Sequence, residues 1–293
     1  MNWRDGYIAV DWGTTNRRAY LTQADGSIAE SFEDDRGLLA VPPGTFAAEA
    51  AAIRRRLGDR PMLMAGMVGS ARGWGEAPYV GCPAKLDDLS KAILWIEPGR
   101  TGIVPGVAQR GASGADVMRG EEVQVFGALA AGLVPRNGPA CLPGTHTKWI
   151  VLEEGAIACF RTMMTGELFG LLKRHSILAD QLQTDVAPGA AFEAGAAEGL
   201  NGRNLLSALF GIRARHALGP PQNDAAAYAS GLLIGSDVRA GLELHDGGAI
   251  GLIGQPDLCR LYGAALDYAG YQATQLDGAT AFLAGIRALT ERL

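Results

Sequence analysis

The chain has 293 residues, 48% of them hydrophobic and 19% charged, which supplies enough apolar material for substantial cores and divides most simply into two domains. Its formal net charge of -5 gives no basis for a nucleic-acid partner, although a local basic pocket for a phosphorylated ligand is compatible with it. No apolar run approaches bilayer length, and the four cysteines, Cys82, Cys141, Cys159 and Cys259, lie far apart without CxxC or metal-type spacing, so they are expected to be buried thiols in a reducing compartment.

At the N-terminus, Arg4 and Asp5 precede a short apolar run rather than the long apolar core of a secretory leader, which sets the cytoplasm as the expected location. The run Tyr7-Ile8-Ala9-Val10 fits a buried strand that stops at Asp11 and turns through Gly13, Thr14 and Thr15. Gly13 permits the bend, and the threonines place hydroxyls beside N–H groups that can face phosphate oxygens. Asp11, at the strand's end, suits a magnesium ion held through an oxygen or a water. Taken alone, the same residues also make an ordinary hairpin turn. Asn16 and Arg18 follow and can reach an acceptor or a phosphate, while Arg18 can equally point to solvent.

Strands over 19–22 and 28–32, joined by Asp25-Gly26, come next. A helix is expected over 45–57, with Glu49 early and Arg54-Arg55-Arg56 late, an order that suits the helix dipole; the arginines are expected to form a solvated helix end. After a candidate strand over 61–65, the loop 66–79 interleaves Ser70, Arg72, Trp74 and Glu76 with glycines. That mixture suits a hydroxylated organic acid: Ser70 and Glu76 can bond hydroxyls, Trp74 can flank a carbon face, and Arg72 can pair with a carboxylate. A packed surface turn with Trp74 in the core is the competing interpretation.

Asp116 closes the segment Gly111-Ala112-Ser113-Gly114-Ala115 and is expected immediately before a helix over 116–133, marked by Val125, Leu129 and Leu133. Such a carboxylate is either a general base held by local backbone donors or a cap that stabilises the helix start. Two prolines and a glycine at 134–139 then interrupt the apolar pattern, which divides the chain into domains 1–136 and 137–293.

The second domain opens with a repeat of the first. Ala140-Cys141-Leu142-Pro143-Gly144-Thr145-His146-Thr147-Lys148 reproduces the order of strand, Gly-Thr turn and returning strand; aligning Gly144 with Gly13 puts Thr145 on Thr14 and Thr147 on Asn16. Both copies continue alike, the second through Glu154-Gly155 to a strand over 157–162, so each half is expected to begin with three antiparallel strands. Lys148 either neutralises phosphate charge or is an exposed strand lysine, and His146 is a donor candidate.

Helical patterns follow over 167–178, 190–200, 202–218 and 224–244, then a strand over 249–253 running through Gly254 into a helix from 257 to about 269. A strand that enters a helix through glycine brings backbone close to a nucleotide, so Gly254 is assigned to the adenosine side, with a plain connection as the alternative. Gly231 and Gly235, four apart on a helical pattern, either let the nucleotide approach or let helices pack, with packing favoured. The four histidines, His146, His175, His216 and His245, show no HxxxH spacing, and no GxSxG elbow, Walker A loop or GxGxxG fingerprint is present.

The paired turns resemble the superfamily that unites actin, the heat-shock chaperone ATPases and the sugar kinases. Within it, the chain resembles the 2-dehydro-3-deoxygalactonokinase family over nearly its whole length, through Asp11-Trp12-Gly13-Thr14-Thr15-Asn16, Ala65-Gly66-Met67-Val68-Gly69-Ser70, Gly73-Trp74-Gly75-Glu76-Ala77-Pro78-Tyr79, Asp116-Val117-Met118-Arg119-Gly120-Glu121-Glu122, Leu142-Pro143-Gly144-Thr145-His146-Thr147-Lys148-Trp149 and Thr165-Gly166-Glu167-Leu168-Phe169. Where many superfamily members begin the second hairpin with an Asp, this chain has Leu142.

The resemblance implies an α/β fold of two actin-like, ribonuclease H-like domains with a nucleotide cleft between them, 1–136 on the substrate side and 137–293 on the nucleotide side. It implies ATP and Mg2+ as cofactors and a small-molecule sugar acid as substrate, with phosphorylation of the 6-hydroxyl of 2-dehydro-3-deoxy-D-galactonate in galactonate breakdown. On this view Asp116 is the base, with Glu121 or Glu122 the acidic residue that follows it, and Asp11 organises magnesium. Gly13, Thr14, Thr15, Gly144, Thr145, Thr147, Lys148 and Gly254 serve the nucleotide, and Asn16, Ser70, Arg72, Trp74 and Glu76 serve the acceptor. A nucleotide-driven protein of the actin or chaperone sort and a non-catalytic sugar-acid sensor are the alternatives; no nucleic-acid or membrane partner is expected, and the oligomeric state is left open.

Overall fold

The first unit is organised around β1 (Tyr7–Trp12), in which every residue except Asp11 is buried. β2 (Arg17–Thr22) and β3 (Ile28–Asp34) follow it as an antiparallel meander, and β4 (Met62–Gly66) pairs with β1 in parallel. The helix α1 (Phe46–Leu57) turns Phe46, Ala50, Ile53 and Leu57, a three-and-four spacing, onto Ile8, Val10, Met62 and Met64 of the sheet. With β6 (Leu94–Glu97) and β7 (Thr101–Ile103) the sheet runs β3-β2-β1-β4-β7-β6. The computed structural model describes residues 3–111, 114–219, 224–245 and 247–293.

A second sheet in this unit combines β5 (Tyr79–Gly81), β8 (Gly106–Gly111) and β9 (Gly114–Met118), and a short helix α2 (Leu86–Lys91) lies between its strands in sequence. The helix expected from residue 116 is corrected here. Asp116 belongs to β9 and faces Gln109 of β8, while α3 spans Glu121–Ala130. Gly120 at the helix entrance has φ +110, a conformation that interrupts any helix running in from upstream. Ala112 and Ser113 of the segment before Asp116 lie outside the described residues.

The second unit repeats the plan. β10 (Gly138–Leu142) pairs antiparallel with β11 (Thr147–Glu153), β12 (Ala156–Met163) lies beside β11, and β13 (Ile250–Gly254) and β14 (Ala273–Asp277) extend the sheet in parallel, giving β12-β11-β10-β13-β14. This is the β3-β2-β1-β4-β7 order of the first unit in new strands. Around the sheet stand α4 (Thr165–His175), α5 (Ala190–Leu200), α6 (Leu205–Leu218), α7 (Ala225–Leu242) and α8 (Pro256–Tyr268), the last opening with proline where no N–H is needed.

Gly231 and Gly235 serve packing: a Cβ on Gly231 would lie 2.0 Å from the Phe192 carbonyl oxygen and one on Gly235 2.3 Å from that of Ala196, so α5 and α7 meet backbone to backbone. The chain forms two compact units, Met1–Arg136 with Glu153–Cys159 and Gly278–Leu293, and Asn137–Leu152 with Phe160–Asp277. The final helix, α9 (Gly278–Thr290), is therefore part of the first unit, where Gly285 packs against the Val123 carbonyl of α3 at a distance that excludes a side chain. Neither β14 nor α9 was expected from the sequence, because the edge strand β14 alternates only weakly and α9 follows it without a spacer.

Cys141 and Cys259 are buried, Cys82 and Cys159 partly so, and all are free thiols. Among the described residues no helix is long and apolar enough to cross a membrane.

Candidate active site

In the first unit the turn after β1 is closed by Gly13 N donating to Asn16 O at 2.9 Å. Thr14, Thr15 and Asn16 are exposed. The carbonyls of the turn are taken up from behind: Leu38 N donates to Gly13 O at 2.9 Å, Leu39 N to Thr14 O at 3.1 Å and Gly37 N to Thr15 O at 3.0 Å. The amides of Thr14 and Thr15 donate to no backbone carbonyl among the described residues. A turn with its oxygens satisfied and its amides without a backbone acceptor suits an anion.

Asp11 stands at the mouth of this turn, paired in register with Ala65 of β4 and Arg18 of β2. Burial pushes its carboxyl up to about 6, opposed by the Arg18 guanidinium and reinforced by the charges of Glu121 and Glu33. Arg18 itself is largely claimed by Glu33, with Nε to Oε2 at 3.0 Å and Nη2 to Oε1 at 3.1 Å, and approaches Asp11 only to 3.9 Å. Asn16 Nδ2 also donates to Glu33, at 3.0 Å. Arg18 is therefore tied along the hairpin rather than free in solvent.

The acidic neighbour of Asp11 arrives through two glycines. Gly66, at the end of β4 with φ +94, has no room for a Cβ, which would sit 2.6 Å from Trp12 O; a Cβ on Gly120 would be 3.2 Å from the Gly66 Cα. This close approach brings the start of α3 against the ends of β1 and β4. Glu121 accepts from Arg119 N at 3.0 Å, and both oxygens of the fully buried Glu122 accept from Gly120 N at 2.8 Å. Burial, then the charge of Glu121, pushes the Glu122 carboxyl up to about 8, so at neutral pH it is a mostly protonated pin. Asp116 is partly buried on β9, its Oδ1 accepting from Val117 N at 2.8 Å. Its alternative role as a cap of the helix start does not apply, since α3 begins at Glu121 with Gly120 before it.

The loop after β4 folds on itself: Trp74 N donates to Val68 O at 2.9 Å, Ala77 N to Gly69 O at 3.0 Å, and Ser70 Oγ to Met67 O at 2.7 Å. Trp74 packs partly buried against the first-unit core, whereas Arg72 and Glu76 are exposed and form no ion pair among the described residues. Arg119, which sequence reasoning left without a role, ties this loop to the entrance of α3. Its Nη2 donates to Ala77 O at 2.8 Å and its guanidinium lies 4.3 Å from the centre of the Tyr79 ring.

In the second unit the amides of Gly144, Thr145 and His146 likewise donate to no backbone carbonyl among the described residues, while Glu167 N donates to Thr145 O at 2.9 Å. A Cβ on Gly166 would lie 2.5 Å from Gly144 O, so the start of α4 rests directly on the turn. Gly254 belongs to the same neighbourhood, its Cβ position 3.4 Å from Pro143 O. His146 Nε2 and Glu167 Oε2 are 2.5 Å apart at the rim. Thr147 is placed differently from expectation: it is fully buried and its hydroxyl is 2.7 Å from the Tyr262 OH, turned into the core because it begins β11. Lys148 is 4% exposed, which removes the exposed-lysine reading.

Among the described residues no three His, Cys, Asp or Glu side chains cluster as a metal cage. Magnesium does not demand one, since it keeps waters and takes one or two carboxylates with phosphate oxygens. Asp11, a carboxylate at a strand end whose proton affinity is raised by burial and then by the charges of Glu121 and Glu33, fits that role.

Two units with a shared strand order, each with a Gly-Thr turn whose amides lack a backbone acceptor among the described residues, define the actin-like ATPase and sugar kinase class. The chain belongs to the 2-keto-3-deoxy-galactonokinase family, whose model matches residues 11–289. It is 38% identical over 287 residues to the 2-dehydro-3-deoxygalactonokinase of Escherichia coli strain K12, with 97% of each chain covered. The crystal structure of a Sinorhizobium meliloti protein assigned the same activity is 33% identical, with a TM-score of 0.89 over 98% of this chain and 96% of that one. The ADPNP-bound activator of the 2-hydroxyisocaproyl-CoA dehydratase from Clostridium difficile is 9% identical with a TM-score of 0.54, covering 98% and 95% of the two chains, and shares the fold.

Proposed function

We propose that this chain transfers the γ-phosphoryl group of ATP to the 6-hydroxyl of 2-dehydro-3-deoxy-D-galactonate, releasing ADP and the 6-phosphate, as a sugar-acid kinase of galactonate catabolism. Membership of the 2-keto-3-deoxy-galactonokinase family is the observation that supports this reading over an actin-like or chaperone-like ATPase and over a sugar-acid sensor.

The amides of Thr14 and Thr15 on the turn that Gly13 opens, and those of Gly144 and Thr145, none of which donates to a backbone carbonyl among the described residues, serve the ATP phosphates. Gly254 lets the nucleotide approach the backbone beside Pro143, and Lys148 lends positive charge from behind its turn. Thr147 acts by holding that turn, not through its hydroxyl. Asp11 would hold Mg2+, which when bound neutralises charge on the β- and γ-phosphate oxygens. Asn16, Ser70, Arg72, Trp74 and Glu76 contact the acceptor, with Arg72 on its carboxylate.

A base takes the hydroxyl proton as the oxygen bonds to the γ-phosphorus and the bond to ADP breaks. Asp116 is the base of this scheme. Glu121 is the second candidate, favoured by one observation: its charge acts on Asp11. Free thiols throughout the described chain suit a reducing cytoplasm.

The test is ADP release measured with ATP and Mg2+, with and without a panel of epimeric 2-keto-3-deoxy sugar acids. Release that depends on the galacto epimer is the expected result. Release without any acceptor, or binding of the acid without release, would overturn it.

A further inference from the structure

The two turns are braced in the same way by different chemistry. In the first unit Gly37 lies against the turn so closely that a Cβ would be 2.3 Å from the Thr15 carbonyl carbon. The residue before it, Arg36, is bound to Glu49 of α1 through Nε at 2.9 Å and through Nη2. Glu49 also receives Nη1 of the buried Arg17, which leads out of the turn on β2, at 2.9 Å.

In the second unit Gly166 lies against Gly144 and Thr145. The residue before it, Thr165, donates its hydroxyl to Oδ2 of Asp237 on α7. Asp237 also receives Trp149 Nε1, on the strand leading out of the turn, at 2.6 Å, and the Tyr262 OH at 2.6 Å. Because the Tyr262 proton goes to Asp237, Thr147 donates to the Tyr262 oxygen, so a second residue of β11 is held by the same carboxylate. Asp237 is 4% exposed and forms no ion pair among the described residues. In each unit, then, one helix-borne carboxylate clasps both the strand that leaves the turn and the segment that seals it. Neither carboxylate emerged from the sequence as a site residue, and neither contacts the turn's amides.

We propose that Asp237, and Glu49 as its counterpart, are positioning residues that set the two phosphate-binding turns for ATP. The inference rests on the assignment of those turns to the nucleotide. A buried carboxylate has to satisfy its lone pairs, and here its donors are side chains whose spacing fixes where the turn sits. Loss of one arm lets the turn shift, and supporting groups of this kind typically cost about 10–100-fold when removed.

The test compares KM for ATP with KM for the sugar acid in Asp237→Asn, Thr165→Val and Thr165→Ser. Asp237→Asn and Thr165→Val are expected to raise KM for ATP about tenfold, leaving KM for the acceptor within about twofold, and Thr165→Ser, which keeps the hydroxyl, is expected to restore the wild-type value. Glu49→Gln is expected to behave like Asp237→Asn. If Asp237→Asn does not fold, Thr165→Val against Thr165→Ser still decides. A lowered melting temperature with both KM values unchanged, or both raised alike, overturns the proposal. Gly166→Ala separates the two levels, since its Cβ displaces the turn directly. An unchanged KM for ATP in that variant removes the turn from the nucleotide site, whereas a raised value there with a normal value in Asp237→Asn and Thr165→Val defeats the positioning role alone.

Discussion

Glu121, at the entrance of α3, raises the carboxyl of Asp11 across the ends of β1 and β4, although the two are far apart in the chain. The pairing has a measurable consequence. Asp11 has to be ionised to attract a cation, and its carboxyl lies at about 6, so kcat/KM for ATP is expected to rise with pH through about 6. Carbon NMR titration of the free protein checks the assignment: Arg18→Leu moves the Asp11 midpoint upward, because the guanidinium lowers it, and Glu121→Gln moves it downward.

The two candidate bases make opposite demands. Loss of a general base costs about 10²–10⁴ in rate with the fold intact. If Asp116 is the base, Asp116→Asn melts normally and loses turnover by that factor while Glu121→Gln loses less; if Glu121 is the base, the ranking reverses. Single-turnover rates with saturating ATP and acceptor decide between them, with thermal melts as the control.

Glu122 couples stability to pH. Its folded value of about 8 lies above that of an unfolded glutamate, so the native state binds the extra proton between the two. Its contribution is complete at pH below the unfolded value, declines as pH rises, and is lost once pH passes about 8. Glu122→Gln, which keeps an acceptor for Gly120 N, is expected to lose less melting temperature between about pH 6 and 9 than the parent.

Gly231→Ala tests the close helix contact. A Cβ 2.0 Å from the Phe192 carbonyl oxygen has to push α5 from α7, which is expected to cost about 1–3 kcal/mol in urea denaturation. Gly81→Ala, where nothing lies within 4 Å of the new Cβ, is expected to leave the transition nearly unchanged.

The strand and helix order of the second unit was largely legible: α5 occupies 190–200 as its pattern indicated, and α6, α7 and α8 differ from expectation by only a few residues at their ends. Long periodic stretches announce themselves because burial of one face repeats along the chain. The sheet β5-β8-β9 was not legible, since strands of three to six residues rich in glycine have too little alternation to register. That is why Asp116 was expected at a helix start and stands instead on β9.

By itself the sequence determined the duplicated strand–turn–strand frame and the glycine and threonine of each turn, because these depend on residue type and local spacing. Only the tertiary structure decided which distant parts come together: the start of α3 against the ends of β1 and β4, Thr147 turned inward to Tyr262, Arg119 on the loop after β4, and α9 returned to the first unit. Each of these pairs residues distant in the chain. For the start of α3 and for α9 the approach is backbone to backbone, at Gly66, Gly120 and Gly285, where a side chain would crowd the elements apart.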